Sequence, residues 1–151
     1  MHVSVIAVGK RQPEWIREAC RQYSSRFPGS WSFRLIELDP GKSARATREA
    51  QAGRVLAGIR APDLLIALDE QGAQLSSIEF SQKFESWTQA GRDLVFVVGG
   101  ADGLGKSVLD RAEYVLSLGA MTLAHGLARI VLLEQLYRAH TLATGHPYHR
   151  S

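Results

Sequence analysis

The chain has 151 residues, enough for a single domain spanning residues 1–151 that buries roughly 68–70% of its unfolded surface and needs no staple. One cysteine, Cys20, excludes an internal disulfide framework and fits a reducing compartment, so the cytoplasm is the default; no apolar run approaches the ~18 residues of a membrane span, and Met1 to Ser4 lack the charged and apolar regions of a signal peptide. The formal charge of +3 is uneven: residues 1–60 sum to +6 and residues 61–151 to −3, which is compatible both with a phosphate-rich partner and with arginines on solvated helix faces.

Val3 to Val8 is a β-branched apolar run ended by Gly9 and predicts a buried strand. Pro13 to Phe27 turns helical, with Pro13 in the first turn and Trp15, Ile16, Cys20 and Tyr23 at three- and four-residue spacing; Pro28 and Gly29 end it. A second strand fits Phe33 to Leu38, and a basic, Ala-rich helix fills Ser43 to Ile59. Leu64 to Leu68 makes a third strand, ending in Asp69 and Glu70. Ser76 with Glu79 offers a capping box for a helix to about Ala90. Leu94 to Val98 is the fourth strand, Lys106 to Ala112 a short helix, and Tyr114 to Leu118 the fifth strand. Strands alternating with helices imply a mostly parallel sheet covered on both faces, an α/β fold.

The final helix, Leu127 to Thr144, is apolar almost all round: Leu127, Val131 and Leu142 take one side, Ile130, Leu133 and Tyr137 another, Leu132 and Leu136 a third. Such a helix is either deep in its own domain or shared with a second copy of the chain, and in so small a domain a homodimer interface is the favoured reading. Glu134 and Arg138, at i, i+4, are placed to pair.

Two segments carry candidate chemistry. Gly100 to Ser107 matches the phosphate-binding pattern G-x-x-x-x-G-K-S residue for residue, after a strand and before a helix. In that reading its N–H groups cradle phosphates, Lys106 reaches the terminal ones and Ser107 binds Mg²⁺, which makes a small NTPase the alternative function. Against it, the loop follows the fourth strand, the candidate acidic strand (Leu64 to Asp69) lies upstream, and only about 44 residues follow Ser107. The plain reading is a tight strand-to-helix turn that glycines permit. The second segment, Leu118 to Ala124, is a turn of small residues that opens the last helix, whose first N–H groups lack helical partners and can hold a polar ligand. Four of the five histidines lie between His125 and His149, and the chain closes with His146, Pro147, Tyr148, His149 and Arg150.

Taken together, the Gly99, Gly100, Gly103, Leu104 loop, the Ser117, Leu118 to Thr122, His125 stretch, the Arg129 to Ala139 helix and the Pro147, Tyr148, His149 tail resemble the RlmH family of SPOUT-superfamily methyltransferases. Ala7, Val8, Gly9 and Lys10, and Leu35, Ile36 and Glu37, extend the resemblance over almost the whole chain. The resemblance implies a SPOUT-type α/β fold, a mostly parallel sheet with helices on both faces, whose carboxy-terminal segment threads a trefoil knot, a feature no sequence pattern proposes by itself. It further implies a homodimer that methylates N3 of a pseudouridine in large-subunit (23S) ribosomal RNA, within the ribosome or large subunit, without a metal and without a membrane. The methyl donor that the resemblance implies is S-adenosylmethionine. By position, Leu68, Gly99, Leu118, Gly119, Ala120, Met121, Thr122 and Leu123 line its pocket, a set of residue types that supplies apolar walls and backbone hydrogen bonds for an adenine.

Transfer from a sulfonium to an imide nitrogen is an in-line displacement in which positioning does most of the work and loss of the N3 proton needs help. His125 or His149 is the candidate for that help, with Arg129 or Arg150 holding a phosphate or developing negative charge, and Tyr148 stacking on an extruded base. The alternatives are structural: His125 capping or packing at the last helix, Arg129 serving a carboxylate or the dimer, Tyr148 packing on the helix it follows. His2, His140 and His146 read as surface or packing residues. Two positions depart from the family pattern, Ala124 where proline is usual and Gly119 where serine is more usual; both leave the cofactor loop less constrained before binding.

Overall fold

The computed structural model describes residues 1–40 and 48–150. Its strands are β1 (His2–Val8), β2 (Ser32–Leu38), β3 (Leu64–Gln74), β4 (Leu94–Val98) and β5 (Tyr114–Ser117), and its helices α1 (Glu14–Ser24), α2 (Arg48–Ala57), α3 (Ser77–Gln89), α4 (Lys106–Arg111) and α5 (His125–Thr144). The strands form one sheet in the order β2-β1-β4-β3-β5, and every neighbouring pair is parallel.

Period-two alternation along each strand assigns its side chains to two cores. Val3, Val5 and Ala7 of β1, Ile66 of β3 and Phe96 of β4 face α1, α3 and α5 and meet Ile16, Phe84, Leu132 and Leu136 there. Ile6 and Val8, Leu65 and Ala67, and Val95 and Val97 face the opposite layer, where Ala52 and Val55 of α2 and Val108 of α4 cover them. Both faces of the central strands are buried, which is why those segments read as unbroken apolar runs. Leu132, Leu133 and Leu136 of α5 are fully buried, and truncating any one of them to alanine costs about 2–5 kcal/mol.

Because the strands are parallel, their carboxyl ends share one edge of the sheet, where ligands of open α/β folds bind. β3 is longer than the sequence pattern predicts. Leu68 pairs with Leu116, and so does Ala73 after a register shift, so the polar residues from Asp69 to Gly72 bulge out at that edge before the strand resumes. Gly72 makes the bulge possible: a Cβ there would lie 2.7 Å from the Val115 carbonyl. The pattern stops at Leu68 because the apolar run stops there, while the backbone pairing continues.

The capping box on α3 forms as its spacing requires: the Ser76 hydroxyl accepts from the Glu79 N–H at 3.1 Å and the Ser76 N–H donates to Glu79 Oε1 at 2.9 Å. The expected start of the second helix, Ser43, lies outside the described residues; the helix is observed from Arg48. α5 begins at His125, two residues before its apolar pattern. One side of α5 packs on the sheet between α1 and α3, while Leu127 stays exposed and Ile130, Val131, Tyr137 and Leu142 are half-buried.

Candidate active site

At the carboxyl edge of the sheet a cleft of about 880 Å³ opens between three loops. Leu68 and Asp69 to Gln71 come from the β3 bulge, Gly99 to Leu104 from the loop after β4, and Leu118 to Ala124 from the loop after β5, with His125 at its end. Of the cofactor residues expected from the sequence, Leu68, Gly99, Leu118, Gly119, Met121, Thr122 and Leu123 line this one cleft; Ala120 lies in the same loop but not in its wall. The floor is apolar, with Leu104, Leu109 and Leu116, and the rim carries Asp69, Glu70, Asp102 and Arg48.

Two glycines shape the cleft differently. Gly119 has φ +135°, in the region that favours glycine, and the Ser117 hydroxyl clamps it by accepting from its N–H at 3.2 Å and donating to its carbonyl at 3.0 Å. Gly99 serves close approach of the chain to itself: a Cβ there would sit 2.8 Å from the Gly103 carbonyl carbon and 3.1 Å from Leu104 Cγ. The absence of a side chain at Gly99 lets the glycine loop fold on β4.

Chain direction places His125 at the first turn of α5, where it lines the cleft and makes no cap; the N-cap position is Ala124, without a side-chain hydrogen bond. His125 Nε2 lies 3.3 Å from the side-chain amide nitrogen of Gln12, in the loop between β1 and α1. One turn on, Arg129 is 1% exposed. Its Nη1 donates to Glu37 Oε2 at 2.8 Å, its Nη2 donates to the Gly9 carbonyl at 3.3 Å, and its Nε is buried with no partner among the described residues. Of the two readings of Arg129, a grip on phosphate or developing charge and a carboxylate partner, the enclosed guanidinium matches the second, and it ties α5 to β2 and to the β1–α1 loop.

The tail does not reach the cleft of its own chain. The Tyr148 hydroxyl donates to Glu134 Oε1 at 3.0 Å, its ring meets Tyr137 edge-on at 4.8 Å, and the Arg138 guanidinium lies over it at 4.8 Å. Burial, first, and the bond to Glu134 push the Tyr148 phenol up to about 12. Arg138 also contacts His149 Nδ1 at 3.1 Å and pairs with Glu134 at 2.6 Å, the i, i+4 pair expected from the sequence. Glu134 stands nine residues beyond His125, about 13 Å along the helix axis. Arg150 is exposed.

The phosphate-loop look-alike is closed by a carboxylate. Glu49 of α2 accepts from the Ser107 hydroxyl at 2.8 Å and from its N–H at 3.3 Å, so it sits at the start of α4 where a phosphate would lie; the Ser107 hydroxyl holds its carboxyl below the usual range. Lys106 turns to Asp110 at 2.6 Å. The loop is the tight strand-to-helix turn of the plainer reading, with Gly103 at φ +79°.

Sequence reasoning missed Asp69, Glu70 and Gln71 as cleft residues, although the abrupt change from Leu68 to acidic residues was visible. It missed Gln12 altogether: a lone glutamine before Pro13 has no periodicity and meets His125 only through tertiary folding.

An open parallel sheet with a ligand-sized cleft built from the loops after β3, β4 and β5 defines a small-molecule-binding α/β protein. Comparison with known proteins narrows the class. A family model described as "Predicted SPOUT methyltransferase" matches residues 1–149, and the chain belongs to the SPOUT methyltransferase family. It is similar to proteins named Ribosomal RNA large subunit methyltransferase H: 39% identical to that of Methylobacillus flagellatus and 40% to that of Dechloromonas aromatica, over 99% of each chain in both cases. It is 42% identical to that of an Anaeromyxobacter species, over 99% of this chain and all of the relative.

Proposed function

We propose that this protein is a cytoplasmic S-adenosylmethionine-dependent methyltransferase that modifies N3 of a pseudouridine in large-subunit (23S) ribosomal RNA, working as a homodimer with a knotted carboxy-terminal segment. The observation that carries the reading is the convergence of Leu68, Gly99 and the Leu118 to Leu123 loop on one cleft, in a chain whose relatives are named for ribosomal RNA methylation. The cleft fits a nucleoside: its volume lies in the range of small-molecule sites, leucines offer apolar walls to a base, and Asp69, Glu70 and Asp102 offer acceptors to hydroxyls. S-adenosylmethionine held there would supply a sulfonium methyl to N3 once the N3 proton has passed to solvent, the electrons of the broken C–S bond staying on sulfur.

The chain's own residues position this exchange. The Ser117–Gly119 clamp orders the loop that would hold the donor, and His125 lines the same cleft, where it would meet the acceptor. The dimer reading is supported by the exposed Leu127 and the half-buried Val131 and Leu142 on the outer side of α5. Tyr148, His149 and Arg150 lie away from their own cleft, so in this reading the tail serves the cleft of the partner.

Mass spectrometry of 23S rRNA fragments from cells with and without the protein tests the reaction; a methyl group on the same pseudouridine in both samples would end the proposal. His125→Ala in single-turnover methylation at saturating donor tests the site, with an unchanged rate removing His125 from the chemistry.

A further inference from the structure

His125 has two nitrogens, and which of them carries the proton decides what it can do in the cleft. The side-chain amide nitrogen of Gln12 lies 3.3 Å from His125 Nε2. An amide nitrogen only donates, so with the Gln12 amide in this orientation Nε2 is the acceptor, which assigns the ring proton to Nδ1. The ring's Cδ2, adjacent to Nε2, lies 3.4 Å from where a Cβ on Gly9 would be. The Cδ2–Nε2 edge thus faces the β1–α1 loop, and Nδ1 stands across the ring from it, in a residue that lines the cleft.

Gln12 is wedged in place. Its Oε1 lies 2.7 Å from a Cβ position on Gly126, and its Nε2 lies 3.3 Å from the corresponding position on Gly9, so glycine at both sites makes room for the amide. The loop that carries it is tied down at Gly9, whose N–H donates to the Leu38 carbonyl at 2.7 Å and whose carbonyl accepts from Arg129.

We propose that Gln12 is a positioning residue that holds His125 as its Nδ1–H tautomer, so that the imidazole serves as a hydrogen-bond donor to the substrate and not as the base. The inference rests on the reading that the methyl acceptor is an imide. When an imide N3 loses its proton, the charge spreads onto the two flanking carbonyl oxygens. A preorganised N–H at one of them stabilises that charge while the proton passes to solvent, and the N3 lone pair then forms the new bond to carbon. A histidine whose Nε2 lone pair is engaged by Gln12 and whose Nδ1 is protonated has no free lone pair with which to abstract a proton.

Nitrogen-15 NMR of histidine-labelled protein, with His125→Ala for assignment, reads the tautomer without reference to activity. The expected spectrum shows protonated Nδ1 and unprotonated Nε2; a proton on Nε2 overturns the proposal. Q12M removes the donor while keeping the bulk, and is expected to lose the Nδ1–H form and to slow single-turnover methyl transfer about three- to tenfold, the worth of one hydrogen bond, with donor affinity unchanged. Q12E offers only acceptors to Nε2 and is expected to move the proton there, with at least the same loss of rate. A tautomer unchanged in both variants, or a wild-type rate in a variant whose tautomer has switched, counts against Gln12. A wild-type protein that shows the Nδ1–H form and loses it in Q12M, yet methylates no rRNA, upholds the Gln12 contact and sinks the proposed reaction instead.

Discussion

Arg129 of α5 and Glu37 of β2 form an ion pair at 2.8 Å between residues 92 positions apart, with the arginine side chain 2% exposed and the glutamate 35%. The same guanidinium donates to the Gly9 carbonyl. One buried cation therefore joins the second turn of the last helix, the edge strand of the sheet and the loop that carries Gln12.

Removing either partner is expected to destabilise the fold, but unequally. Glu37→Gln leaves a cation in a dry site and should cost about 3 kcal/mol, whereas Arg129→Met leaves a carboxylate that solvent reaches and should cost about 1–2 kcal/mol. Urea unfolding midpoints at constant slope measure both, and the reverse order would mean that the arginine is hydrated.

Gly99→Ala is expected to disable the cleft with little effect on the sheet. The new methyl would sit 2.8 Å from the Gly103 carbonyl carbon, main chain that yields only by moving the Gly99 to Leu104 wall. Calorimetric titration with S-adenosylmethionine should show affinity at least tenfold weaker, and wild-type affinity would mean that this wall does not touch the ligand.

Lys106→Ala should leave both donor binding and the urea midpoint at wild-type values, because the lysine pairs with Asp110 on the surface and stands outside the cleft wall. Mg²⁺-dependent ATP or GTP binding that disappears in this variant would revive the nucleotide-hydrolase reading.

Tyr148 should titrate late. Burial and the bond to Glu134 hold its phenol near 12, so the phenolate absorbance lost in Tyr148→Phe should develop around pH 12 and not at the ordinary value of about 10. A raised folded-state value favours the neutral form, so the stabilisation is complete below the ordinary value and fades as pH climbs through about 12. A difference spectrum centred near 10 would show the tail detached from α5 in solution.

The tail and the cleft show where reading a sequence succeeds and where it stops. Local chemistry announces the strands, the Ser76 capping box and the Leu118 to Leu123 turn, because alternation, a short-range hydrogen bond and a run of small residues are all properties of neighbouring positions. The same local character misleads at Gly100 to Ser107: the pattern matches a phosphate loop, and only Glu49, brought from α2, shows the anion position to be taken. β3 was cut short for a related reason, since its pairing with β5 resumes beyond a polar bulge that no apolar period marks.

Hydrophobic periodicity and motifs in fixed order are enough to read the chain order of strands and helices, the two-faced burial of the central strands and the family from the residues alone. Tertiary structure alone decided that Arg129 faces Glu37 instead of a ligand, that Tyr148 lies on Glu134 and Tyr137, and that Gln12 meets His125. These contacts join residues up to 113 positions apart, and nothing in the neighbourhood of either partner encodes the distance between them.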